Sequence, residues 1–200
     1  MATFVELGNR PILWKFPENQ ERFHVEELSE IKEKPVYEKV KRMADVALSV
    51  LALPVLSLPM AGIAVAIVLD SPGNPIYAQV RLGKNEKPFT IYKFRTMRID
   101  AEEDGLCWAS YDDPRVTRVG RLLRKTRMDE LPQLYNILKG DMSIVGPRPE
   151  RPEFYEVFDT YIDGFRQRMK VTPGLTGLAQ VNGGYDLLPD RKSTRLNSSH

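Results

Sequence analysis

Residues 46–69 read VALSVLALPVLSLPMAGIAVAIVL, 24 positions without a charge in a 200-residue chain that is 28% charged overall. As one straight helix this stretch would extend about 36 Å, enough to cross a hydrocarbon core of roughly 30 Å. It therefore points to work at a bilayer. Pro54 and Pro59 lie inside it, and each removes a backbone donor and crowds the carbonyl four residues earlier. A break at Ser57-Leu58-Pro59 leaves arms of about 17 and 10 residues, counted from Lys41 and up to Leu69, neither long enough to span alone. Lys32, Lys34, Lys39, Lys41 and Arg42 precede the stretch, and Arg81, Lys84, Lys87, Lys93, Arg95 and Arg98 follow it. Positive charge marks the cytoplasmic side of a membrane segment, and here it stands on both sides. A re-entrant helix and a kinked single span both remain open on these grounds. A buried soluble helix fits the length and apolarity poorly.

The rest of the composition narrows the class. Two hundred residues suit one domain with its own core. A net charge of +2 gives no global field of the kind that marks a nucleic-acid binder. The single cysteine, Cys107, excludes an internal disulfide framework and fits a reducing compartment. With His24 and His200 the only histidines, a histidine triad or histidine metal site is excluded in practice. No Walker A loop, G-x-G-x-x-G fingerprint or H-E-x-x-H motif is present.

Along the chain, residues 1–40 read as a polar lead and 41–70 as the membrane segment. Residues 71–190 read as the domain proper, and 191–200, RKSTRLNSSH, as a disordered, non-native tail. The turn cluster Asp70-Ser71-Pro72-Gly73-Asn74-Pro75 precedes two β-rich runs, IYAQV and PFTIYKFRTM, which read as a hairpin. A loop covers 100–114. Helical spacing is expected over Val116–Lys139 and again from Glu153 to about Val171. GDMSIVGPRPERP at 140–152 and TPGLTGLAQVNGGYD at 172–186 read as loops. The fold class expected is α/β, a mainly helical single domain with a small β-hairpin and an N-terminal re-entrant helix-break-helix.

Asp129-Glu130 carries the candidate chemistry. Pro132 is comfortable only in the first turn of a helix, so a helix starts near this pair and ends near Lys139-Gly140. Arg121, Arg124, Lys125 and Arg127 stand close by in sequence. Cations and a helix N-terminus favour ionised carboxylates, which can attack phosphorus or ligate Mg²⁺. Thr126-x-x-Asp129 equally fits a capping box, and spacing alone leaves both readings open. Arg148, held between Pro147 and Pro149, suits bidentate phosphate recognition, though an arginine in a turn is often structural.

Taken in order, KRMADVALSVLAL, LDSPGNPIY, QVRLGKNEKPFTIYKFRTM, RVTRVGRLLRKTRMDELPQLYNILKGDMSIVGPRPE and VTPGLTGLAQVNGG resemble the bacterial sugar transferases, small monotopic polyprenyl-phosphate phosphoglycosyl transferases. The resemblance runs from about Lys41 to Asp190. It implies a re-entrant membrane helix bent at Ser57 and Pro59, a bacterial cell-membrane location at the cytoplasmic face, and transfer of sugar-1-phosphate from a UDP-sugar to undecaprenyl phosphate with release of UMP. It implies Asp129 as nucleophile and Mg²⁺ ligand, Glu130 as its acid/base or metal-site partner, and Mg²⁺ as cofactor. It places Arg124, Arg148, Lys93 and Arg95 at the anionic substrate. Downstream glycosyltransferases are implied as partners; nucleic acid is not. Leu58 between Ser57 and Pro59, and Gly184 after Asn182-Gly183, depart from the pattern. The family's domain continues beyond Asp190, so the chain reads as truncated and of low activity. The competing reading is a non-catalytic membrane-anchored scaffold whose Asp129 caps a helix and whose arginines bind anionic lipid.

Overall fold

The computed structural model describes residues 34–103, 113–160 and 162–182, together with the backbone of short strands within 5–24 and at 106–107. Most of the polar lead, most of the loop expected at 100–114, Gly183-Gly184 and the tail at 191–200 lie outside the described residues, while the last six residues of the lead, 35–40, form the start of the long helix.

One helix, α1, organises the rest. It runs Pro35–Asp70, 36 residues with Pro35 at its first turn, or about 54 Å at 1.5 Å per residue. The break expected at Ser57–Pro59 is not there: the helix continues through Pro54 and Pro59. It gives up the two donors that the prolines lack rather than its continuity, and the Ser57 hydroxyl donates to the Pro54 carbonyl at 2.7 Å, a local bond of the kind that bends helices. One stripe of α1 faces the remainder of the protein. Asp45, Ser49 and Ile67 are buried, and Ala52, Leu53, Leu56, Met60, Ile63 and Ala64 pack against two apolar clusters. These positions recur every three or four residues, the period of one helix face. The opposite face carries Leu51, Val55, Leu58 and Leu69, all exposed.

The other elements, in chain order, are β1 (Val5–Leu7), β2 (Arg10–Leu13), β3 (Phe23–His24), β4 (Ile76–Leu82), β5 (Pro88–Phe94), β6 (Leu106–Cys107), α2 (Arg118–Thr126), α3 (Gln133–Lys139), β7 (Ser143–Val145), α4 (Pro152–Asp159), β8 (Ile162–Asp163), β9 (Gly174–Thr176) and α5 (Leu178–Asn182). The architecture is mixed α/β with small sheets. β4 and β5 form the expected antiparallel hairpin, in register from Ile76 opposite Phe94 to Leu82 opposite Pro88. Phe89 and Ile91 of β5 pack with Leu134 and Ile137 of α3 and with Met142. Phe94, Leu123 and Ile67 make the second cluster.

Three sequence expectations change. The helical stretch at Val116–Lys139 is interrupted at Arg127, whose φ of 61° ends α2 in the left-handed region. The stretch from Glu153 to Val171 is α4, then β8, then a 3-10 segment at Phe165–Lys170. Gly164, at φ +76°, marks the change and takes a conformation that side-chain-bearing residues avoid. The two loops at 140–152 and 172–186 contain β7 and β9, which pair in parallel through Ser143–Gly174 and Val145–Thr176, and the second also contains α5.

Candidate active site

α2 approaches the strand end after β5 closely. Gly120 lies against the Thr96 carbonyl, where a Cβ would stand 2.0 Å from that oxygen. Thr117 caps α2 by accepting from the Gly120 N–H at 3.0 Å. The cap expected at Thr126 does not form: the Thr126 hydroxyl donates back to Leu122 and Leu123. The left-handed Arg127 then turns the chain into a 3-10 segment, Met128–Glu130, which carries both carboxylates, and α3 follows after Pro132. Asn136 of α3 clips that helix to β5, donating to the Thr90 carbonyl at 2.7 Å and accepting from the Tyr92 N–H at 3.1 Å. The next residue, Lys93, thereby comes to the dyad.

Asp129 and Glu130 are buried, 4% and 6% exposed. Glu130 is held by two cations. The Lys93 ammonium stands 3.6 Å from its Oε1, and Arg148 donates to the same oxygen at 3.1 Å. Burial alone would raise the Glu130 carboxyl, but Lys93 and Arg148 outweigh it and bring the pKa down to about 2. Burial lowers the Lys93 ammonium to about 8, with Arg148 adding to the effect and Glu130 opposing it. Asp129 differs from its neighbour. Burial pushes its carboxyl up against the pull of Lys93, and its Oδ1 has no hydrogen-bond partner among the described residues. A buried acceptor left open is costly, so Asp129 is built for something the protein itself does not supply. The capping reading of Asp129 has no support: the 3-10 segment has no side-chain cap.

Asp129 opens into a cleft of about 330 Å³ lined by Lys93, Arg124, Arg148, Arg81, Arg95 and Arg151 among others. Arg124 reaches it from α2, its Nε donating to the Thr96 hydroxyl at 3.0 Å. Arg95 borders the cleft, but its guanidinium donates to the Ser71 side chain and backbone and to the Pro72 carbonyl, closing the exit of α1. Arg148 is positioned from behind: Arg168 donates to its carbonyl at 2.8 Å and stacks on Phe165 at 4.7 Å. The structure thus brings Asp129, Lys93, Arg124, Arg148 and Arg95 to one cleft, with Glu130 held behind it by Lys93 and Arg148. Ser57 and Pro59 lie apart from it, within α1.

The family model for bacterial sugar transferases matches residues 36–199. The chain belongs to the bacterial sugar transferase family. It is 51% identical over 133 residues, 66% of its length, to a Bacillus subtilis protein whose provisional name is undecaprenyl-phosphate N-acetylgalactosaminyl 1-phosphate transferase. It is 43% identical over 90% of its length to the UDP-N-acetylgalactosamine-undecaprenyl-phosphate N-acetylgalactosaminephosphotransferase of Aeromonas hydrophila. Over 72% of its length it is 44% identical to the UDP-glucose:undecaprenyl-phosphate glucose-1-phosphate transferase of Escherichia coli. It spans 74% of the first relative, but 42% and 31% of the other two.

Sequence reasoning overlooked part of this sugar transferase's cleft. Tyr77, Gln79 and Arg81 alternate along β4, and the cleft is lined by all three, together with Glu102, Glu150 and Arg151. Arg81 is buried and pairs with Glu150 at 3.1 Å, and burial brings its pKa down to about 10. The period-two polar pattern Tyr77-x-Gln79-x-Arg81 was the available signal, since alternate residues of a strand share one face.

Proposed function

We propose that this protein transfers sugar-1-phosphate from a UDP-sugar to undecaprenyl phosphate and releases UMP, an initiating step of exopolysaccharide assembly. The observation that carries the reading is the buried Asp129, one oxygen open, at the floor of a cationic cleft in a chain of this family. The relatives named for UDP-N-acetylgalactosamine and UDP-glucose supply the donor class, and a Rhizobium leguminosarum relative is named an exopolysaccharide production protein.

The chemistry runs through two displacements. A carboxylate oxygen of Asp129 bonds to the sugar-bearing phosphorus, the bridging P–O bond breaks, and UMP leaves with that electron pair. A phosphate oxygen of undecaprenyl phosphate then attacks the same phosphorus, and the Asp129 carboxylate leaves. Each step brings a single polyanion to the cleft, and each is favoured by preorganised cations. Lys93 and Arg148 hold Glu130 ionised and stand ready for the phosphates; Arg124 adds a third cation. A burial-raised carboxyl makes Asp129 a more basic nucleophile once ionised. The unpartnered carboxylate of Asp129, at the edge of the cleft, also fits a divalent cation, because Mg²⁺ is held by one or two carboxylates together with phosphate oxygens. When bound, Mg²⁺ would neutralise diphosphate charge.

We also infer that both ends of the apolar stretch lie on the cytoplasmic face, so that α1 stays within one leaflet rather than crossing the bilayer. Basic residues at both ends support this, as does the packing. Arg42 and Asp45 near one end, and Ile67 and Asp70 near the other, all contact the same domain. A cleft lined by cations cannot follow a perpendicular helix through hydrocarbon.

The test of the activity is UMP release by purified protein given undecaprenyl phosphate and a panel of UDP-sugars. Release that needs both substrates is expected; lipid binding without UMP release would leave only the scaffold reading. For the topology, single cysteines at Asn19 and Asn85 in a Cys107→Ser background should both resist an impermeant thiol reagent in intact cells. Labelling at Asn19 alone would mean a true span.

A further inference from the structure

Beyond the dyad the cleft changes character. Tyr77 is the cross-strand partner of Lys93, so its side chain starts about 5 Å from that of the dyad's own cation, and the cleft continues from there past Gln79, Glu102, Arg151 and Phe154. The polar groups at this end are already ordered. Gln79 donates to the Tyr77 hydroxyl oxygen at 2.9 Å and accepts from Arg81 at 2.7 Å. Arg151 donates to the Tyr77 oxygen at 3.3 Å and to Glu102. Tyr77 is 3.4 Å from Glu102. Among the described residues every contact of Glu102 falls on Oε1, and the side chain keeps 30% of its surface exposed.

We propose that this end of the cleft, Glu102 with Tyr77, Gln79 and Arg151, binds a vicinal diol of the donor, from either its ribose or its hexose. The proposal rests on the nucleotide-sugar reading above. A diphosphate presents only acceptors, and a carboxylate in its path would repel it. A uracil edge presents one N–H between two carbonyls, so only one of its three groups suits a carboxylate. Hydroxyls both donate and accept. Two neighbouring hydroxyls can donate to the Oε2 side of Glu102 while accepting from the amide and guanidinium groups that flank it. The stacking of Arg151 toward Phe154, 5.8 Å from the ring centre, gives that guanidinium a fixed plane. The bonds from Tyr77 through Gln79 and Arg81 to Glu150 hold the wall in place before the ligand arrives.

The experiment measures equilibrium binding of UDP-sugar and of UMP to the full chain, wild type against Glu102→Gln, with deoxy analogues in two arms. One arm pairs UMP with 2′-deoxy-UMP; the other pairs UDP-glucose with UDP-sugars lacking or inverting a ring hydroxyl. A charge-assisted bond to a hydroxyl makes Glu102→Gln weaken UDP-sugar about tenfold, with loss of the wild type's discrimination in one arm. Loss in the UMP arm assigns the ribose; loss in the hexose arm, with UMP unchanged, assigns the sugar ring. A Glu102→Gln protein of unchanged thermal midpoint that binds every ligand as wild type does would overturn the proposal. Should that variant lose stability, Tyr77→Phe, which removes a hydroxyl and keeps the ring, decides by the same comparison. Wild type that binds neither UDP-sugar nor UMP removes the diol site along with the donor class. Wild type that binds the donor but releases no UMP with undecaprenyl phosphate sinks the transferase reading alone.

Discussion

The outer face of α1 and the floor of the cleft reverse the usual arrangement of a globular protein in opposite ways. On α1 the large apolar side chains point outward, Val55 at 75% and Leu58 at 81% exposure. At the cleft Asp129 and Arg81, and Glu130 behind it, are buried. Water would penalise the first surface, and an apolar interior would penalise the second. Each is stable only through what faces it: lipid for the helix, opposite charge for the dyad. Asp129 is the exception within the cleft, since its open oxygen has no such partner.

The largest effect is expected where that exception is removed. Asp129→Asn should abolish UMP release, by at least about a thousandfold, because the proposed two-step covalent path would lose its nucleophile. Thermal midpoint and membrane pelleting should stay at wild-type values. Near-normal turnover would make the open oxygen incidental.

Glu130 is the compensated carboxylate, so its removal should damage the fold. Glu130→Gln leaves Lys93 and Arg148 buried without their counter-charge and should cost about 3 kcal/mol, read as a lower denaturation midpoint. Its pKa falls from 4.5 to about 2 on folding. The stability it contributes is therefore complete above pH 4.5 and lost as pH falls toward 2, and the Gln variant should lose that acid sensitivity. An unchanged midpoint would show that the pairing contributes nothing net.

The helix side of the comparison yields a smaller, spatially selective effect. Val55→Asp, on the outer face, should weaken membrane pelleting by about 2.5–3.5 kcal/mol of insertion free energy while leaving the detergent thermal midpoint unchanged. Leu53→Ala, on the domain-facing stripe, should do the reverse. If both variants behaved alike, the two faces of α1 would not be distinct.

The mildest test titrates the cleft. Lys93 loses its charge as pH rises through about 8, so KM for the donor should climb on the alkaline side. Asp129, pushed up by burial, should set an acid limb in kcat/KM at a higher pH than a free aspartate would. A flat profile between the two limbs and beyond them would disconnect these groups from turnover.

Long-range pairing marks the boundary of what the residues alone disclosed. The hairpin was legible because β4 and β5 adjoin in sequence and alternate clearly. The dyad was legible because Pro132 restricts where a helix can begin, and because the surrounding motif is distinctive. β7 and β9 were not, since strands of three residues carry no periodicity and find each other across almost thirty residues of chain. The single helix expected after Glu153 stops at Asp159 because the chain turns into β8, and the left-handed Gly164 then opens a 3-10 segment instead of resuming it. The proline break in α1 failed for the opposite reason: a helix packed along one whole face against a domain keeps its course despite two missing donors. Glu102 and Arg151 were missed because their partner, Tyr77, lies 25 and 74 positions away.

The first turns of α1 are bolted to the domain. Arg42 donates to the carbonyls of Ile137 and Leu138 at the end of α3, Asp45 accepts from the Ile144 N–H at 3.0 Å, and Lys41 reaches the Ser143 hydroxyl. An enzyme on a slack tether samples many heights above a membrane and waits for a favourable one. Here the fastening leaves a single altitude: whatever depth the helix takes in lipid fixes the level of Asp129, and a thinner or thicker bilayer shifts that buried carboxylate with it.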